Sequence, residues 1–166
     1  MMVSSRITLL YVDDDPNDLA LLGHAIDQTD SDLWLLTSHD GRHAMDYLEG
    51  RGIFCDRSLH PFPDLILLDL HMRFVTGIEF LAWRRTSSGF SGLPVLVFTG
   101  SVDQAELGRA LRMGADGHIN KPQTFAGWKG VVQQIRDFAA QNPRSRSSSV
   151  VHSFGSPAKA LSGVAR

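Results

Sequence analysis

The sequence predicts an α/β fold: five strand–helix units in one parallel sheet, with helices on both faces. Three observations predict it. Short continuous apolar runs, such as residues 7–12 and 65–68, read as strands buried on both faces. These runs alternate five times with segments of helical periodicity, which is the pattern of a parallel sheet wound with crossover helices. Two of the runs also end in carboxylates, at Asp13-Asp14-Asp15 and at Asp69.

The first strand is predicted over residues 7–13. Pro16 suits the first helical position, with Asp15 as N-cap, and Leu19, Leu22 and Ile26 supply that helix's apolar stripe. Residues 33–37 form the second strand. Asp40 caps the next helix, whose Ala44, Tyr47 and Leu48 face inward. Residues 50–63, punctuated by Gly, His and Pro, read as a long loop. The third strand is residues 64–69. A turn ending at Gly77 leads to a helix carrying Ile78, Phe80, Leu81 and Trp83. Residues 93–98 are the fourth strand, and 103–113 a helix closed by Gly114. Residues 117–120 make a short fifth strand. Residues 123–140 make a last helix with Trp128, Val131, Val132, Ile135 and Phe138 at core spacing.

The chain divides into a domain, residues 1–141, and a tail, residues 142–166. The tail holds seven serines, four basic residues and no acid, too little apolar surface to offset ordering entropy, so it is expected to be flexible. Outside the tail, 12 basic residues face 18 acidic ones, so the domain is acidic although the chain's formal net charge is only -2. Such a balance gives no field that would recruit nucleic acid. The single cysteine, Cys55, rules out an internal disulfide framework and suits a reducing compartment. No apolar run approaches the roughly 20 residues of a membrane helix, and no leader pattern precedes the first strand. The expected location is the cytoplasm.

The chemistry is expected where the strands end. In an open α/β sheet, ligands bind at the carboxyl edge of the strands. Asp13, Asp14, Asp69, Thr99 and Lys121 all fall there. Like carboxylates brought together need protons or a cation to hold them. Asp69 can act as a nucleophile toward phosphorus, and the acids can hold Mg²⁺. Thr99 can donate to a phosphoryl oxygen and Lys121 can supply a point charge to another.

With those residues in place, the chain resembles the receiver domain of two-component response regulators. The matching segments are Val12-Asp13-Asp14-Asp15-Pro16, the run from Pro63 to Met72 through Asp69, Pro94-Val95-Leu96-Val97-Phe98-Thr99-Gly100, and the run from Gly114 to Pro122 through Lys121. The resemblance implies a flavodoxin-like (βα)5 sheet with strand order 2-1-3-4-5. It implies that Asp69 accepts a phosphoryl group from a sensor histidine kinase or a histidine phosphotransfer protein. Asp14 and Asp69 would ligate Mg²⁺, Asp13 would act through water, and the main-chain carbonyl of His71 would complete the protein ligands. Thr99 and His118 would form the switch pair, Lys121 would touch the phosphoryl group, and Lys121–Pro122 would be cis. A homodimer across the fourth helix, fifth strand and fifth helix, and signalling to a downstream protein, are further implications.

The resemblance has departures. After Met72 the family pattern runs Pro-Gly-x-(Asp/Asn)-Gly, whereas this chain reads Arg73-Phe74-Val75-Thr76-Gly77. A rigid Pro and a Gly that permits positive φ are lost, and a cation and an aromatic are gained. Gly100 stands where Ala is commoner, and His118 where Tyr or Phe is usual. The long loop at 50–63 resembles the small regulators that partner bacterial phytochromes. Two other functions compete: a Mg²⁺-dependent phosphohydrolase of the haloacid dehalogenase type, and a non-phosphorylated receiver-like scaffold. The first calls for an Asp two residues after the nucleophile, where this chain has His71. The alternative for His71 is a side-chain metal ligand, although only its carbonyl is expected to face the metal, and the alternative for His118 is a half-buried structural residue.

Overall fold

A computed structural model describes residues 6–100 and 103–142. Five parallel strands form one sheet: β1 (Ile7–Val12), β2 (Leu33–Ser38), β3 (Leu65–Leu68), β4 (Val95–Thr99) and β5 (Gly117–Asn120). Their order is β2-β1-β3-β4-β5, so the expected doubly wound arrangement is the one observed. Five helices connect and follow them: α1 (Pro16–Asp27), α2 (Gly41–Glu49), α3 (Gly77–Thr86), α4 (Gln104–Arg112) and α5 (Phe125–Gln141).

The period of two along each strand divides the core into two layers. Leu9, Tyr11, Leu65, Leu67, Leu96 and Phe98 point to one face and pack with α1 and α5. Leu10, Val12, Ile66, Leu68, Val95 and Val97 point to the other and pack with α2, α3 and α4. The central strands β1, β3 and β4 are buried on both faces, which is why they read as unbroken apolar runs.

The helix starts follow from caps. The Asp15 carboxylate accepts from Asn17 N at 2.8 Å, and that of Asp40 from His43 N at 2.7 Å. Thr76 and Glu79 form a capping box that starts α3, and Thr124 caps α5, so the last helix begins at Phe125 rather than 123. Asp103 caps α4 from outside, which shortens that helix relative to the sequence reading.

The segment expected as a long loop is more ordered than that. A single 3₁₀ turn spans Gly52–Cys55 and buries Phe54. Arg57 then donates to Leu48 O at 2.7 Å and to Tyr47 O at 2.8 Å, the latter shared with Gly50 N, so the carbonyls at the end of α2 are engaged. Among the described residues no peptide bond is cis, so Lys121–Pro122 is trans, contrary to the resemblance. Residues 143–166, most of the expected tail, lie outside the described residues.

Candidate functional site

The sheet brings the strand ends together through main-chain bonds just beyond its ladders. Asp13 N donates to Ser38 O at 3.0 Å, Asp69 N to Val12 O at 3.0 Å, and Lys121 N to Thr99 O at 2.9 Å. Each site residue is thereby fixed by its neighbouring strand. Gly77 fixes the other side of Asp69: a Cβ there would run into the Asp69 carbonyl oxygen and lie 2.7 Å from Leu70 Cα. Gly77 N also donates to Leu70 O, so the turn after Asp69 closes tightly on its own strand.

Asp13 has no exposed surface, and Asp69 is 5% exposed. Asp13 accepts from the Tyr11 hydroxyl at 2.6 Å and from Asp15 N at 2.9 Å. Lys121 Nζ lies 2.7 Å from Asp13 Oδ2, 2.8 Å from Asp18 Oδ2 and 3.6 Å from Asp69 Oδ2. Burial opposes the charge of Lys121. The hydrogen bonds with Asp13 and Asp18 and the field of Asp69 outweigh that, and its pKa stands above the ordinary lysine value. Burial raises the pKa of Asp69, against the lowering by Lys121; the Asp13 carboxylate raises it further. The Tyr11 hydroxyl is raised as well, by burial first and then by Asp13, so it remains a donor.

Asp14 has a different partner. Its Oδ2 accepts from Arg73 N at 3.0 Å and from Arg73 Nε at 3.3 Å. The loop that carries Arg73 is the one that departs from the family pattern. Phe74 holds a left-handed φ of 67° with its side chain 90% exposed. A non-Gly residue in that region is strained, and Phe74 stands at the position where the pattern has Gly.

Asp13, Asp14 and Asp69 each offer an oxygen, and these lie within 4.8 Å of one another. Hard oxygen donors at that separation fit a divalent cation such as Mg²⁺ or Mn²⁺. The His71 side chain points elsewhere. Its Nε2 is 3.0 Å from Glu106 Oε2 on α4, and its Nδ1 is 3.4 Å from the Thr99 hydroxyl. Thr99 is buried behind it, at 1% exposure. His118 lies exposed on β5, so the alternative of a half-buried structural histidine does not hold. Position 118 alternates with Ile119, whose side chain takes the core side of the strand.

The sequence-predicted residues Asp13, Asp14, Asp69 and Lys121 therefore meet, with Thr99 beside His71 on the adjoining strand end. Three partners went unnoticed in the sequence: Asp18, Glu106 and the Tyr11 hydroxyl. Asp18 sits in the first turn of α1, where an acid is ordinary support for the helix dipole, so its type carries no separate signal. Tyr11 was legible only as a core aromatic.

The sequence model described as response regulator receiver domain matches residues 9–132. The probable methanogenesis regulatory protein FilR2 of Methanothrix harundinacea is 35% identical over 108 residues, 63% of each chain. The response regulator Rcp1 of Synechocystis is 27% identical over 130 residues, covering 78% of this chain and 86% of that one. The chain thus spans less than two thirds of the length of FilR2. The Mn²⁺-bound form of Rcp1 superposes with a TM-score of 0.69 at 26% identity, covering 80% of this chain and 93% of that one. The phosphorylated cyanobacterial phytochrome response regulator RcpA does so with a TM-score of 0.72 at 26% identity and the same coverage.

Proposed function

Since the chain belongs to the response regulator receiver domain family, we propose that it is phosphorylated on Asp69 and signals through the conformation that follows. The observation that carries this reading is the near-buried Asp69 carboxylate, facing Lys121 beside two further acids at one sheet edge. A Mg²⁺ ion held by Asp13, Asp14, Asp69 and the His71 carbonyl would neutralise charge on the transferring group. The Mn²⁺-bound form of the similar Rcp1 supports a divalent ion here.

The residues divide the remaining work. An Asp69 carboxylate oxygen attacks phosphorus, and the phosphorus–nitrogen bond of a phosphohistidine breaks. The electron pair stays on the departing imidazole nitrogen. The raised pKa of Asp69 reflects burial of an acid whose charged form wants cations, and Lys121 is the resident one. Lys121 turns its ammonium from Asp18 toward a phosphoryl oxygen, while Asp13 keeps it anchored. Thr99 donates its hydroxyl to a second oxygen, and leaving His71 transmits the event toward α4 through Glu106. His118, on the edge strand β5, is the other half of that switch.

The phosphoryl donor is a sensor histidine kinase or a histidine phosphotransfer protein, and the recipient of the signal is a protein that reads the α4–β5–α5 face, with a homodimer as one form of that reading. The functional unit is residues 1–141, with 142–166 appended. Its transfer and hydrolysis act on itself rather than on a separate substrate. A phosphohydrolase of the haloacid dehalogenase type is disfavoured because the residue two after Asp69 is a histidine already engaged with Glu106. No helix among the described residues is long and apolar enough to cross a membrane.

The test is incubation of the full chain with acetyl phosphate and Mg²⁺, read by intact mass. One added phosphoryl group, absent from Asp69→Asn and absent without Mg²⁺, is the expected result. Retention of the modification in Asp69→Asn would move the acceptor elsewhere, and no modification of the wild type would favour the scaffold reading.

A further inference from the structure

We propose that Arg73 is a resident cation that competes with the divalent ion for Asp14 and so weakens the metal affinity of the pocket. This deepens the proposed function and rests on it.

The three clustered carboxylates are not equivalent. Asp13 and Asp69 share Lys121, which is held on the inner side of the cluster. Asp14 has Arg73 instead, and two donors of that residue, its main-chain N and its Nε, converge on the single atom Oδ2. An ion between the acids would draw on the same carboxylate. A guanidinium 3.3 Å from that oxygen also places a positive charge beside the position of a dication, which repels it.

The arrangement is suited to exchange. The Arg73 side chain is 80% exposed, whereas that of Asp14 is 21% exposed. The guanidinium can therefore swing into water at little cost when an ion takes the oxygen, because it gives up only a solvated contact. The main chain cannot move as freely. Met72, just before it, is buried in the core, and Phe74, just after it, sits at the strained φ of 67°. The loop thus presents Arg73 N–H to Asp14 as a fixed feature, and the side chain is its movable part. Arg109 provides a contrast: it lines the same surface cleft as His71, Arg73 and Glu106, whereas the ion-pair partner of Asp14 is Arg73.

The experiment is calorimetric titration of Mg²⁺ into the unphosphorylated full chain, comparing wild type, Arg73→Gln and Arg109→Gln. The melting temperature at sub-saturating Mg²⁺ serves as a second readout. Arg73→Gln is expected to bind Mg²⁺ about fivefold more tightly, and Arg109→Gln to stay within about twofold of wild type because it acts only through screened distance. Unchanged or weaker affinity in Arg73→Gln, while the wild type binds Mg²⁺, overturns the competition and leaves the proposed function standing. Equal tightening in Arg109→Gln also overturns it, since a general field would then account for the effect. If neither wild type nor Arg73→Gln takes up Mg²⁺, the pocket is not a metal site and both readings fall.

Discussion

Lys121 reaches Asp18 at 2.8 Å, although 103 positions separate them in the chain. That contact ties the end of β5 to the first turn of α1 and leaves Lys121 farther from Asp69 than from either other acid. The lysine is thus both a structural cation and the candidate partner of a phosphoryl group.

Its structural share is measurable. Lys121→Met keeps an unbranched chain one atom shorter but leaves Asp13, fully buried, without its cation. Removing one partner of a buried pair costs ~3–5 kcal/mol. The 14% exposure of Lys121 places this site toward the lower end. Asp18→Asn should cost well under half as much, because Asp13 still holds the ammonium at 2.7 Å. Urea denaturation of the two variants checks the ordering. Equal losses would mean that Asp18, not Asp13, is the main anchor.

Phe74 offers a gain of stability. Its left-handed backbone costs a residue with a Cβ ~1–2 kcal/mol relative to glycine. Its side chain, 90% exposed, loses little packing on removal. Phe74→Gly forfeits ~0.5–1 kcal/mol of that through extra freedom in the unfolded chain. A net stabilisation of ~0.5–1 kcal/mol is expected, with no such gain from Phe74→Ala, which keeps the Cβ. Thermal melts of the three proteins decide it, and a gain in the Ala variant would trace the effect to the ring rather than the backbone.

The acid limb of stability should carry a contribution from His43. Burial lowers its pKa first, and the neighbouring His39 lowers it further, against the raising by Asp40 and Asp46. The ring Nδ1 is 2.8 Å from the Ser38 hydroxyl, and the ring stacks edge-on to Phe54. A base whose folded pKa is depressed binds its proton more weakly when folded. Its contribution is therefore complete above the unfolded value, 6.5, and is lost as pH falls through the lower folded value. Denaturant midpoints measured from pH 8 to pH 5 should fall less steeply in His43→Asn than in wild type. Parallel curves would assign the acid limb to other groups.

Much of the fold and of the pocket was legible because the signals are local. A strand buried on both faces must be apolar throughout, so residues 65–68 announce β3 and place Asp69 at its end. The same reasoning placed Asp13, Thr99 and Lys121 at strand ends, and parallel winding then obliges those ends to share an edge. Asp15 and Asp40 were readable as caps because a cap depends on the next three residues alone.

What the sequence by itself determined, then, was the sheet, its helices and the set of side chains delivered to one edge, since periodicity and chain connectivity suffice for these. The tertiary structure alone decided how those side chains pair. Lys121 goes to Asp13 and Asp18 before Asp69, Arg73 takes Asp14, and His71 turns to Glu106 rather than to the clustered aspartates. Arg57 likewise folds an apparent loop onto the end of α2. Each pairing is a competition among several charges and carbonyls within a few ångströms. Its outcome depends on burial and distance between segments far apart in the chain, which no local pattern encodes.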